Sequence, residues 1–178
     1  MAIVAPFVAV GIPGMYLAGL ITGSWRLQLL YVAFVVLFFT VLEIRVLCRH
    51  CPFYSRSGSF LRCYANHGLP KLWRFQPRPA NLWEKATLVI SFLLMGGAPI
   101  LIELNGLVVL HGPVSRQIYT GLTYASALAI VGFFTLLSVH FCPRCVNFSC
   151  PFNRTPRELR QKYLDRNPVM REAWASLD

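Results

Sequence analysis

The chain reads as an all-α integral membrane protein. It has four transmembrane helices forming two helical hairpins, two Cys-rich cytoplasmic arms and a short amphipathic C-terminal helix. Three features lead to this reading. Of 178 residues, 56% are hydrophobic and 13% charged, against about 25% charged in an ordinary soluble domain. The apolar residues gather into long runs, each near the roughly 20 residues of helix that cross a hydrocarbon core. The basic residues are concentrated between and after those runs rather than spread along the chain.

The first run, Ile3 to Thr22, has no charge before Arg26. It lacks the basic flank of a secretory signal and is expected to be a retained helix. A few residues around Gly23–Arg26 connect it to the second run, Leu27 to Leu47. Glu43 and Arg45 fall in the last turns of that run, where a charged head can reach the interface. The third run, Thr87 to Leu110, contains Pro99, Glu103 and Asn105. A carboxylate at membrane depth is costly and hints at function; the plainer reading has Glu103 hydrogen-bonded within the bundle or reaching the outer interface. His111–Arg116 links it to the fourth run, Ile118 to Phe141. Links this short make each pair a hairpin. Gly11, Gly14, Ala18 and Gly19 on the first helix, with Gly96, Gly97 and Ala98 on the third, suit close helix contact. The division is therefore a hairpin over 1–47, an arm over 48–85, a second hairpin over 86–141 and a tail over 142–178.

Charge orients the bundle. Of the 17 Lys and Arg, eight lie between Arg45 and Lys85 and seven after Phe141, leaving Arg26 and Arg116 in the hairpin links. Basic flanks stay on the cytoplasmic side, which places the middle arm, the tail and both termini in the cytoplasm of a multi-pass inner-membrane protein. The formal net charge of +10 is then explained by topology, and nucleic acid is not a partner the sequence calls for.

All six cysteines stand in the two basic segments. Cys48, Cys51, Cys63 and His67 read C-x2-C-x11-C-x3-H; His140, Cys142, Cys145 and Cys150 read H-x-C-x2-C-x4-C. Each arm thus offers three thiolates and an imidazole, the ligand number of tetrahedral zinc, and the C-x2-C pair is the knuckle that opens many such sites. Two Cys3His zinc sites are the expectation, with His50 inside the first knuckle turned away from it. An iron–sulfur cluster is the alternative, because Cys51, Cys142 and Cys150 each precede Pro, as in ferredoxin-type motifs. Two all-cysteine clusters would need eight thiolates; one cluster drawing two from each arm would need the arms to meet. Burial as simple apolar residues explains the cysteines poorly, since all six lie at or beyond helix ends among Arg, Asn, Ser and Pro.

There is an echo between the halves. Phe38-Phe39-Thr40-Val41-Leu42 precedes the first knuckle and Phe133-Phe134-Thr135-Leu136-Leu137 the second, and Cys-Pro-Phe recurs at Cys51 and Cys150. A duplicated unit of hairpin plus cysteine arm would account for it. Four helices with paired cysteines also resemble the disulfide-generating quinone reductases of the bacterial and vitamin-K-epoxide-reductase type. The resemblance is confined to helix number, and that family's working cysteines face the oxidising side. A thiol–disulfide oxidoreductase is accordingly the weakest of the three readings.

Beyond His67, basic residues alternate with Trp73 and Phe75 as in a segment resting at the headgroups. In the tail, Thr155-Pro156-Arg157-Glu158 has the form of a capping box that opens a short helix. After Asn167-Pro168 a second begins, whose Met170, Ala173, Trp174 and Leu177 share one face for the bilayer or for a partner subunit. There is no phosphate loop, serine elbow, H-E-x-x-H or paired carboxylate, so catalysis by the protein alone has little support. The functional expectation is a scaffold or subunit of a membrane-associated complex. It presents a metal-knuckle surface to a soluble or membrane partner, or to a second copy of itself; the alternative is an iron–sulfur subunit passing electrons toward quinone.

Overall fold

The computed structural model describes residues 5–63 and 67–175. Among these there is no strand beyond an isolated bridge between Phe60 and Pro70. Four helical spans are long and apolar enough to cross a membrane: Ala5–Thr22, Arg26–His50, Leu82–Val109 and Pro113–Arg144. The first is helix α1 (Ala5–Thr22). The second comprises α2 (Arg26–Leu37), a π-helical turn (Phe38–Leu42), α3 (Glu43–Val46) and a 3-10 turn (Cys48–His50). The third is α4 (Leu82–Val109); the fourth comprises α5 (Pro113–Leu136), a π-helical turn (Leu137–Phe141) and a 3-10 turn (Cys142–Arg144). Helices α6 (Arg157–Asp165) and α7 (Pro168–Ala175) complete the tail. Both cysteine-bearing spans thus carry a π-turn shortly before their first cysteine, a distortion that frequently marks functional sites.

The chain divides into two compact units. One joins the chain up to Val36 with Phe92–Leu137. Here α1 packs against both α4 and α5. Met15, Ala18, Ile102 and Tyr119 form the core, and the Tyr119 hydroxyl donates to Gly14 O at 3.1 Å. Small residues permit α4 to approach α1: a Cβ on Gly106 would lie 3.1 Å from Ala18 Cα, and one on Gly14 would collide with the Glu103 carboxylate. Glu103 is itself fully buried and accepts from Ser126 Oγ at 2.9 Å, which is the hydrogen-bonded placement expected of it. Most apolar side chains in the spans point outward instead. Leu29, Leu30, Leu101 and Leu128 are at least 67% exposed, a surface suited to lipid rather than to water.

Pro99 stands inside α4, so it cannot donate the N–H that would bond Met95 O. The hydroxyl of Tyr31 on α2 supplies the missing donor, reaching Met95 O at 3.0 Å. A backbone carbonyl exposed by proline is thereby satisfied within the bundle, as the hydrocarbon environment demands.

The other unit joins Leu37–Ser91 with Ser138–Asp178. Its core is Ile44, Cys48, Tyr54 and Leu61, against which Leu69, Trp73 and Phe75 pack. The Tyr54 hydroxyl donates to Trp73 O (2.7 Å) and accepts from Trp73 N–H (3.0 Å). The third span starts at Leu82, five residues before the expected Thr87, because Asn81 and Glu84 form a reciprocal capping box: Glu84 N–H donates to Asn81 Oδ1 and Asn81 N–H to Glu84 Oε2, both at 2.8 Å.

Two expectations for the tail change. Thr155 does not cap α6; Pro156 is the cap residue and makes no side-chain bond. The Thr155 hydroxyl donates instead to Cys145 O at 2.9 Å, and its N–H to Asn153 Oδ1 at 3.0 Å. The α7 face is covered by the chain itself: Met170 is buried, and Trp174 meets Phe148 edge-on at 6.2 Å while its indole N–H donates to Pro77 O at 3.1 Å. Leu177 lies outside the described residues.

Candidate metal centre

The two C-x2-C pairs adopt the same backbone. Cys48–His50 makes a 3-10 turn closed by Cys51 N–H to Cys48 O at 2.9 Å, and Cys51 then turns extended at φ −87°, ψ 138°. Cys142–Arg144 does likewise, with Cys145 N–H to Cys142 O at 3.4 Å and Cys145 at φ −82°, ψ 126°. The echo in sequence is thus an echo in conformation. Where a Pro follows a cysteine it lacks an N–H and fixes the next turn; Pro52 opens a second 3-10 turn, Pro52–Tyr54.

Three sulfurs are cradled by backbone amides. Cys51 accepts from Phe53, Cys145 from Asn147, and Cys150 from Phe152 and Asn153. In each case the first donor stands two residues on, so the turn that follows the cysteine aims an N–H back at its sulfur. Such bonds favour the thiolate over the thiol.

The segments meet. The thiols act on one another's ionisation across them: Cys51 feels Cys145 and Cys63, Cys145 feels Cys63, and Cys150 feels Cys145 and Cys142. Asn147 joins the same two stretches, its Nδ2 donating to Leu47 O at 2.9 Å. Tyr163 of α6 stands near Cys51 and stacks edge-on with Phe148 at 5.4 Å, so the tail closes over the region. Burial, reinforced by neighbouring thiols, pushes Cys51 and Cys150 up to about 12 and raises Cys145. A thiol held protonated is a poor nucleophile, and it becomes a ligand only when a cation compensates its charge.

The remaining candidates are distributed differently. Cys48 belongs to the apolar core with Ile44, Tyr54 and Leu61. His67 and His140 are exposed, and the His140 carbonyl accepts from Arg144 Nη1 at 2.7 Å. The buried imidazole is His50, 1% exposed: its Nδ1 faces Arg78 O at 2.9 Å and Gln76 O at 3.2 Å, and its Nε2 lies 3.3 Å from Glu84 Oε1. Glu84 also pairs with Arg49, and with Arg78 at 3.1 Å. This knot fixes the backbone between Cys48 and Cys51 to the start of α4. The sequence reading missed it, although Asn81-x-x-Glu84 carried the capping signal.

Among the described residues, no three Cys, His, Asp or Glu side chains converge on one point as they stand. The surroundings nevertheless fit a thiolate centre. Ser149, 2% exposed and next to Cys150, has a hydroxyl without a partner, and a buried donor of that kind is costly unless an acceptor such as a thiolate takes it. Arg56 and Arg154 bring positive charge toward Cys51 and Cys142. No family model, curated protein or solved structure matches this chain.

Proposed function

We propose that this membrane protein carries one shared metal centre, with Cys51 and Cys63 from one cytoplasmic arm and Cys145 and Cys150 from the other as its four thiolates. Zinc is the ion, and the protein serves as a scaffold or subunit of a membrane-associated complex. The observation that carries this reading is that Cys145 stands within electrostatic reach of Cys51, Cys63 and Cys150. Four thiolates form a closed tetrahedral zinc site, which is structural rather than catalytic. The ion would hold the two arms together, and the amides at Cys51, Cys145 and Cys150 would share the excess negative charge.

One shared centre is preferred to two separate Cys3His tetrads because His67 and His140 are exposed and the Asn147 Nδ2 bond to Leu47 O ties the two cysteine-bearing segments together. An iron–sulfur cluster on the same four cysteines is the second reading, favoured by Cys51-Pro52 and Cys150-Pro151.

Elemental analysis and absorption of the purified protein decide the ion: zinc in colourless protein supports the first reading, and iron with absorbance at about 400 nm the second. Cys51→Ser and Cys145→Ser should each remove all the metal, whereas His67→Ala and His140→Ala should leave it bound. Retention of half the metal in either Cys variant would restore two independent sites. Orientation is tested separately: a cysteine at position 112 should react with an impermeant maleimide from outside the cell, and Cys63 should not.

A further inference from the structure

Glu103 of α4 is fully buried within the third span, and among the described residues no Lys, Arg or His pairs with it. An ionised carboxyl in such a place is costly. Three hydroxyls of α5 lie around it, and each already has an acceptor for its hydrogen. Ser126 Oγ donates to Glu103 Oε1 at 2.9 Å, Thr123 Oγ1 to Tyr119 O at 3.1 Å, and the Tyr119 hydroxyl to Gly14 O of α1 at 3.1 Å. Thr123 and Tyr119 both stand beside the carboxyl, yet neither hydrogen is left for Glu103 Oε2, which is shielded and has no partner. A carboxylate is therefore one hydrogen short at this site. A neutral acid is not, because its own hydroxyl hydrogen can go to the lone pairs of Thr123 Oγ1.

We propose that Glu103 is a proton-binding site within the membrane: it holds one proton on Oε2, directed to Thr123 Oγ1, and accepts from Ser126 on Oε1. Both carboxyl oxygens crowd the place a Gly14 Cβ would take, so the compensating cation is a proton and not a metal ion. The same crowding couples the proton to helix packing. Its loss puts an uncompensated charge against α1 at Gly14, so α1 closes on α4 and α5 only over the neutral acid. Tyr119 is the titratable group that faces Glu103. The other neighbours, Gly14 of α1 and Thr123 and Ser126 of α5, carry no charge. The inference rests on the membrane-spanning reading and is independent of the metal centre.

Infrared difference spectroscopy of the full-length protein in lipid bilayers at neutral pH tests it. The wild type should show the carbonyl band of a protonated carboxylic acid, which Glu103→Gln removes and Glu158→Gln, on the exposed tail helix α6, leaves in place. Gln fits the same site, its amide donating to Thr123 and its oxygen accepting from Ser126, so the variant should fold. Ser126→Ala frees the acid carbonyl of its donor and should move the band to higher frequency, a readout that stands even if Glu103→Gln fails to assemble. Unfolding in mixed micelles reads the coupling. Because the folded state keeps a proton that the unfolded chain releases, the unfolding constant of the wild type should rise with pH relative to Glu103→Gln, by up to about tenfold per pH unit. No acid band in the wild type, a band that survives Glu103→Gln or ignores Ser126→Ala, or a stability difference that follows sodium concentration and not pH would each overturn the proposal.

Discussion

Replacing Tyr31 by Phe removes one hydroxyl and leaves Met95 O, which Pro99 has deprived of its helical donor, without the 3.0 Å bond that satisfies it. A buried carbonyl left unsatisfied costs about 1–3 kcal/mol; the Tyr31–Met95 bond is only partly buried, and hydrogen bonds between membrane helices average about 0.6 kcal/mol. Tyr31→Phe should therefore destabilise the bundle by about 1 kcal/mol. Pro99→Ala supplies the N–H that Met95 O lacks, so in that background the loss of the Tyr31 hydroxyl should cost less than about 0.3 kcal/mol. Pro99 is fully buried and its removal leaves a gap, but that cost appears on both sides of the comparison and cancels. Reversible unfolding in mixed micelles, followed by helical circular dichroism across the double-mutant cycle, reads the coupling directly. Equal destabilisation in both backgrounds would show that Tyr31 acts through packing alone and would refute the argument.

Gly97→Ala, where a Cβ meets open space, should stabilise the protein by up to about 1 kcal/mol through helix propensity, whereas Gly14→Ala must displace the Glu103 carboxylate and should cost about 1–3 kcal/mol in the same unfolding assay. Asn81→Ala removes half of the capping box at the start of α4 and should loosen amide protection there, at a cost of about 1 kcal/mol. Thr155→Ala should speed hydrogen exchange around Cys145 and leave α6 from Arg157 onward unchanged, since the hydroxyl ties Cys145 O and caps nothing. In metal-stripped protein, Cys51 and Cys150 are raised from 9.0 to about 12, so the folded state binds protons that the unfolded chain releases. Its stability should be full below about pH 9 and fall as pH rises toward 12, and a pH-independent melting temperature over that window would contradict the burial of these thiols.

The spans were legible in sequence because crossing a membrane is a local requirement: about 20 apolar residues suffice wherever they stand, and the predicted runs match the observed helices within a few residues except that the fourth span starts at Pro113, five residues before the expected Ile118, and the third at Leu82, directly after Asn81. There the capping residues were present and the apolar run was followed instead. The common form of the two knuckles was legible for the same reason, since the C-x2-C spacing sets a turn without outside help. Which thiols share a neighbourhood was not. Cys51 and Cys145 are separated in sequence by the whole of the third and fourth spans, and only the folding of the second unit brings them within electrostatic reach of each other. The histidines also depend on distant chain: His67 and His140 stand beside cysteines and are exposed, while His50, expected to turn away from its knuckle, is held by Gln76, Arg78 and Glu84 from farther along the chain. The same holds for Tyr31 and Met95, and for Ser126 and Glu103. Periodicity and composition specify which face of an element is apolar, but a hydrogen bond or ligand set between distant residues depends on helix packing and loop closure, and those are decided in three dimensions.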